Sequence, residues 1–280
     1  MPFPTDKLRV KPNDKVALAT IDTRATPGWD ADDKSGGIDH TASLNGRLEA
    51  LQELLYAEGK HRVLVVLQAM DAAGKDGTIK HVFDGVNPSG VKVASFKKPS
   101  ALELSHDYLW RIHAHTPANG ELVIFNRSHY EDVLVVRVLG LIDDDHAKKR
   151  FEHIRGFEQM LADEGTTIVK IFLHISPEEQ KERLQARLDE ADKNWKFDPA
   201  DLDARAHWHE YQSAFEEAMS ATSTEQAPWY IIPADRKWYR NLAISEILLD
   251  VLEGLTMSFP TPADGLDQIT IDDVSRAFGV

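Results

Sequence analysis

Apolar residues along this chain fall into two patterns that alternate from end to end. The runs Val63-Leu64-Val65-Val66-Leu67 and Leu122-Val123-Ile124-Phe125 are continuous and strand-sized. An unbroken run of this kind predicts a strand covered on both faces. Similar readings place strands over 62–68, 91–96, 121–125, 167–175 and 229–233. Between them the spacing changes to that of helices. Leu44, Leu48, Leu51, Leu54 and Leu55 predict a helix from Ser43, with Gly59 as its stop. Further helices are expected to open at 78–83 and to span 101–115, 145–163, 177–190, 199–221 and 238–255, with Ser176-Pro177-Glu178-Glu179 as a capped start. Strands alternating with helices imply an α/β fold with a parallel central sheet covered by helices on both faces, in three layers. Ligands of such sheets bind at the carboxyl ends of the strands.

The first candidate site sits at such an end. Gln68-Ala69-Met70-Asp71-Ala72-Ala73-Gly74-Lys75-Asp76-Gly77-Thr78 follows the strongest strand and opens a helix. A Walker A loop needs small residues, so that backbone N–H groups can face phosphate oxygens. It also needs a lysine for the terminal phosphates and a helix N-terminus behind it. Ala72, Ala73, Gly74, Lys75 and Gly77 meet those needs. Two positions depart from the pattern: Ala69 stands at its first glycine, and Asp76 replaces the hydroxyl residue after the lysine. Thr78 is the nearest alternative hydroxyl. Asp71 is unusual because a carboxylate within a phosphate cradle repels the ligand unless a cation or an acceptor group compensates it. It either orders Mg2+ or the acceptor, or it is a turn-forming aspartate that caps the loop.

A second group follows the strand that ends at Phe125: Asn126-Arg127-Ser128-His129-Tyr130-Glu131-Asp132. A strand ending beside carboxylates is the setting of a Walker B magnesium site, and Arg127 is placed to clamp phosphate bidentately. Alternatively, Arg127 pairs with a surface acid and Asp132 caps the next segment. Further on, Arg183 and Arg187 lie four apart on one helical face and lead into a polar loop containing Lys193. This suits a lid that closes cations over transferring phosphates, although a solvated helix face carries the same charges. The histidine pairs His113/His115 and His207/His209 have i, i+2 spacing, which separates the rings on a helix; they read as surface or packing residues. Trp208, Trp229, Trp238 and Tyr239 read as core or interface.

Composition narrows the chemistry. The chain has 280 residues and no cysteine, which excludes disulfides, thiolate metal sites and a cysteine nucleophile. No apolar stretch suits a signal peptide or a membrane span, so a cytoplasmic enzyme is expected. The formal net charge of -14 argues against a broad nucleic-acid face. Lys80, Lys92, Lys97, Lys98 and Arg111 nevertheless cluster between Lys75 and Arg127, a locally basic stretch on an acidic body.

Taken together, these motifs resemble the polyphosphate kinase 2 family, from about Arg9 to Leu255. Its most specific parts here are Met70 to Thr78, Phe96-Lys97-Lys98-Pro99-Ser100, Phe125 to Val133, Asn194-Trp195-Lys196-Phe197 and Ala227-Pro228-Trp229-Tyr230. The resemblance implies a P-loop kinase fold resembling thymidylate kinase, with a helical lid, as a single domain over 1–280. Its expected parts are an irregular arm (1–42), a core (43–175 and 224–256), lid helices (176–223) and a C-terminal tail (257–280). It implies phosphate transfer between inorganic polyphosphate and nucleoside mono- or diphosphates with Mg2+, Mn2+ being a substitute, and a homodimer or homotetramer, with neither nucleic acid nor membrane as partner. By resemblance, Asp71, Lys75, Arg127, Arg183 and Arg187 are catalytic, and Asp71 and Glu131 hold the metal. Ala72, Ala73, Gly74, Asp76, Gly77, Thr78, Lys80, Lys97, Lys98, Arg111, Asn126 and Lys193 bind nucleotide or polyphosphate. Asn126 with Glu131 resembles the class III subgroup, associated with phosphorylating both nucleoside monophosphates and diphosphates, AMP and ADP among them. The rivals are a nucleoside monophosphate kinase using ATP and a nucleotide-gated regulatory module.

Overall fold

A computed structural model describes residues 2–266 and Ile271. The acidic end of the expected C-terminal tail therefore falls largely outside the described residues. Six strands form one sheet: β1 (Arg9–Val10), β2 (Arg62–Ala69), β3 (Val91–Ser95), β4 (Leu122–Asn126), β5 (Thr166–His174) and β6 (Trp229–Pro233), in the order β1-β6-β5-β2-β4-β3. β2 is central and pairs in parallel with β4 (Val63 opposite Leu122, Leu67 opposite Asn126) and with β5 (Ala69 opposite Leu173). The chain goes to one side of β2 for β3 and β4, then crosses back for β5 and β6. The carboxyl end of β2 thus lies where the two wings meet, the place where such sheets bind ligands.

The helices are α1 (Lys34–Glu58), α2 (Lys75–Val82), α3 (Ala101–Leu104), α4 (Trp110–His113), α5 (Val135–Val138), α6 (Asp144–Asp163), α7 (Pro177–Asp189), α8 (Ala200–Ala206), α9 (Trp208–Thr222) and α10 (Lys237–Glu253). On one face of the sheet, Leu44, Leu48 and Leu55 of α1 and Leu242, Ile244 and Leu248 of α10 pack on Val63, Val65, Leu67 and Ile171. On the other, Phe151, Ile154 and Phe157 of α6 and Phe215 and Met219 of α9 pack on Leu64, Val66, Phe125 and Phe172. Odd and even positions of β2 serve different cores, which is why its sequence is apolar without alternation.

Several boundaries differ from expectation. The first helix begins at Lys34, inside the segment read as an irregular arm. Asp33 caps it by accepting from the Gly36 N–H at 2.9 Å, and Gly37 packs so closely on Trp238 that a Cβ there would lie 2.7 Å from its ring. Tertiary packing keeps a Ser-Gly-Gly stretch helical. The helix ends at Gly59 as read, with φ 66. The same arm contains β1, which pairs antiparallel with β6 through Arg9 and Tyr230, so the otherwise parallel sheet has one antiparallel edge. Two residues are too few to show a period. The helices expected over 101–115 and 199–221 are both interrupted. Asp107 accepts from the Leu109 N–H at 3.0 Å and restarts the chain after α3, and His207 separates α8 from α9 with φ -97 and ψ 30. Within the segment read as lid helices, α9 is a core helix that buries Tyr211, Phe215 and Met219.

Leu64 of β2 is wholly buried. Replacing it with Ala should lower unfolding free energy by about 2–5 kcal/mol, which chemical denaturation will measure.

Candidate active site

The loop between β2 and α2 adopts a conformation set by two unusual residues. Ala72 has φ 61 and Gly74 has φ 105, whereas Ala69 stays extended in β2 opposite Leu173. Because Ala69 needs no positive φ, alanine substitutes there without backbone strain. Outside the loop lie two guanidinium groups. Arg183 of α7 donates to the carbonyls of Ala72 (3.2 Å) and Ala73 (2.6 Å), and its other terminal nitrogen donates to Ala234 at 2.7 Å. Arg240 of α10 donates to the Gly74 carbonyl at 3.3 Å. In a trans peptide the N–H points opposite to the C=O. Holding the Ala73 and Gly74 carbonyls outward therefore turns the N–H groups of Gly74 and Lys75 toward the other side. There they join the free N–H groups of the first turn of α2, an anion site at a helix N-terminus.

Lys75 opens α2 and folds back, its Nζ donating to the Ala69 carbonyl at 3.2 Å. Burial and then the nearby Arg127 charge push its ammonium below the ordinary range. Arg127 follows the tip of β4 with φ 62. Its Nη2 donates to Asp71 at 2.7 Å, and its Nη1 lies 3.7 Å from Glu131. Although burial opposes the Arg127 charge, Glu131 and Asp71 hold its pKa above the usual value. Burial pushes the Glu131 carboxyl up despite Arg127 and Lys75. Asn126 donates to Asp76 at 2.7 Å, which ties the tip of β4 to the first turn of α2. The structure therefore brings Asp71, Lys75, Asp76, Asn126, Arg127 and Glu131 together.

Other residues named from sequence stand apart from this group. Thr78 is wholly buried, with a hydroxyl lacking a protein partner. Arg111 is buried behind the site, donating to the Lys97 carbonyl at 2.8 Å and lying 3.7 Å from Asp132, whose carboxyl burial pushes up to about 6. Lys80, Lys97 and Lys98 are exposed at the periphery. Arg187 pairs with Asp201 at 2.8 Å and donates to the Lys196 carbonyl, tying α7 to α8, while Lys193 pairs with Glu190. His113 and His115 pack edge-on against Phe157 and Phe96. Arg240 escaped the sequence reading. Burial, and then Arg183 beside it, push its pKa down to about 10. The signal was a cation on the stripe formed with Ile244, Ile247 and Leu248, otherwise the apolar face of α10.

The family model for polyphosphate kinase 2 matches residues 31–260 of the chain. This protein belongs to the polyphosphate kinase 2 family. It is 58% identical over 266 residues to the AMP/ADP-polyphosphate phosphotransferase of Meiothermus ruber, a match covering 95% of this chain and 99% of that one. To the ADP-polyphosphate phosphotransferase of Rhodopseudomonas palustris it is 45% identical over 277 residues, or 94% and 95% of the two chains. The crystal structure of polyphosphate kinase 2 from Arthrobacter aurescens superposes with a TM-score of 0.90 at 43% identity, covering 99% of this chain and 97% of that one. Membership in polyphosphate kinase 2 makes this α/β chain a kinase-type phosphotransferase with the P-loop fold expected from its sequence.

A side chain at Gly74 would be strained, since its φ of 105 is one that L-residues rarely adopt, and a Cβ 2.1 Å from Arg240 Nη1 would displace that guanidinium from the loop. Gly74→Ala should lower kcat/KM by about 100-fold, comparable to losing a preorganised anion-binding donor, and reduce stability by about 1–3 kcal/mol. Steady-state kinetics and thermal unfolding will separate the two effects.

Proposed function

We propose that this protein transfers the terminal phosphate of inorganic polyphosphate to AMP and ADP, using Mg2+ or Mn2+. The observation that carries this reading is the convergence of the phosphate loop and Lys75 with the Asp71–Arg127–Glu131 cluster at two adjacent strand tips. The names of the Meiothermus ruber and Rhodopseudomonas palustris relatives support the donor and both acceptors.

The nucleophile is a terminal phosphate oxygen of the acceptor. With a second pKa of about 6 it is largely deprotonated at neutral pH, so no strong general base is required. The work of the protein is positioning and charge neutralisation. The N–H groups of the loop and Lys75 hold the donor's terminal phosphates. Arg127 moves part of its hydrogen bonding from carboxylate to the transferring group. Among the described residues no group of three or more His, Cys, Asp or Glu side chains could hold a metal ion. The two carboxylates of Asp71 and Glu131 nevertheless fit Mg2+, which takes one or two carboxylates and completes its shell with water and substrate phosphates. When bound, the ion supplies neutralising charge to the phosphates.

Arg183 serves this reading as a brace on the loop, and Arg187 as the tie by which the α7–α8 segment swings as a lid. Lys80, Lys97, Lys98 and Lys193 offer charge to the outer polyphosphate chain and Arg111 supports Lys97. Assembly into a dimer or tetramer draws support from the resemblance and from the outer edge of β3, which pairs with no strand among the described residues and where Val93 is exposed. Among the described residues no helix is long and apolar enough to cross a membrane; the cytoplasm belongs to the same reading.

The test supplies AMP or ADP with Mg2+ and either polyphosphate or a nucleoside triphosphate as donor. ATP formation from polyphosphate with each acceptor is expected, and transfer from the triphosphate alone would replace this reading with a nucleoside monophosphate kinase. Lys75→Ala and Asp71→Asn should each lower kcat by about 10²–10³ without changing the unfolding midpoint. Near-wild-type turnover in either variant would dismantle the site.

A further inference from the structure

The second core, between the sheet and α6 and α9, contains a charge pair that the transfer chemistry does not use. Lys170, in the middle of β5, and Glu158 of α6 are both buried, with Nζ 2.5 Å from Oε2. The two remaining protons of the ammonium are also matched, by the Thr222 carbonyl at 2.8 Å and the Tyr130 hydroxyl oxygen at 3.0 Å. That hydroxyl lies 2.9 Å from the other oxygen of Glu158 and 2.8 Å from Thr222 Oγ1. The Trp229 indole N–H donates to Thr222 Oγ1 at 3.0 Å, and the Lys170 ammonium lies 5.5 and 5.3 Å from the ring centroids of Tyr130 and Trp229.

Two charges so deep in a core are a poor way of gaining stability, since a well-packed apolar pair of similar volume is often as stable or more so. What an apolar pair cannot do is fix the position of a phenolic hydroxyl. Tyr130 belongs to the 3₁₀ turn His129–Asp132. Its backbone N–H donates to Ser128 Oγ at 3.2 Å, and Ser128 Oγ accepts in turn from Gln68 of β2 at 3.1 Å. Immediately before this short anchored segment stands Arg127 in its left-handed conformation, and within it stands Glu131. The rings of Tyr130 and of His129, which packs on Phe157 and lies 3.4 Å from Glu158, point into the core, while Arg127 and Glu131 lie at the phosphate loop. A shift of the hydroxyl would therefore move the guanidinium and the carboxylate together.

We propose that Lys170 and Glu158 are positioning residues: through the Tyr130 hydroxyl they fix the turn that aims Arg127 and Glu131 at the transferring phosphate. This rests on the assignment of Arg127 to the site given above.

The test uses Tyr130→Phe, which removes only the hydroxyl, and the paired variant Lys170→Met/Glu158→Leu, which removes both charges without leaving one unpaired. Both should unfold cooperatively, the paired variant near the wild-type midpoint and Tyr130→Phe at a lower one because it leaves a buried ammonium proton unmatched. Both should lose about 10-fold in kcat under conditions where each is folded, with KM for the nucleotide changed less than 3-fold. Each is then combined with Arg127→Lys. If the network acts by aiming Arg127, Tyr130→Phe in the Arg127→Lys background should cost less than 3-fold further, because misaligned groups acting as a unit are not additive. Wild-type kcat in the network variants, or fully multiplicative losses in the combination, would overturn the inference while leaving the site intact. Wild-type turnover in Arg127→Lys itself would overturn the site assignment and this inference with it.

Discussion

A cradle made of backbone N–H groups exists only if the carbonyls of the same peptides are held somewhere else. This constraint organises the molecule. Arg183 from α7 and Arg240 from α10 meet the carbonyls of Ala72, Ala73 and Gly74 on the outer side of the loop. Both arginines are buried, so the arrangement depends on the two helices being seated against the sheet, and those seats are the apolar faces of the cores. Packing energy thus becomes electrostatic preorganisation: donors are aimed before any anion arrives and need little reorganisation during transfer. The site concentrates positive charge in a chain whose net charge is -14, and the nearest compensation is local, in Asp71 and Glu131 beside Arg127.

The sequence revealed the parts of the fold that repeat a strong pattern. β2, β4 and β6 are largely apolar runs and β5 is one broken by Lys170, because each is covered on both faces, and their positions followed from that pattern. The phosphate loop was equally readable, since small residues and a lysine between a buried strand and a helix leave few other uses. Features set by distant contacts were not. α1 starts at Lys34 because Gly37 meets Trp238, some two hundred positions away, and β1 exists because β6 offers it an edge. Arg183 and Arg187 looked equivalent at i and i+4. Tertiary structure separates them, placing one under the loop and pairing the other with Asp201.

Two signals were present in the sequence but needed the structure to acquire meaning. Lys170 interrupts the apolar strand Ile168-Val169-Lys170-Ile171-Phe172, and Arg240 interrupts the apolar face of α10. A buried cation requires an acceptor, yet a single sequence does not say whether the acceptor is a carboxylate, a row of carbonyls or a ligand. For Lys170 it is chiefly Glu158, and for Arg240 it is the phosphate loop with Asn241.

The antiparallel edge formed by β1 bears on how the chain is made. Arg9 and its ion-pair partner Glu225 are 216 residues apart. At synthesis rates of about 5–20 residues per second, the segment that closes this side of the sheet leaves the ribosome roughly 10–40 s before its partner strand exists. β1 therefore waits unpaired until β6 has been made, and its docking belongs to the last stage of sheet assembly rather than the first. A strand made before the other five of this sheet serves as its final clasp, added once β6 has completed the row of parallel strands.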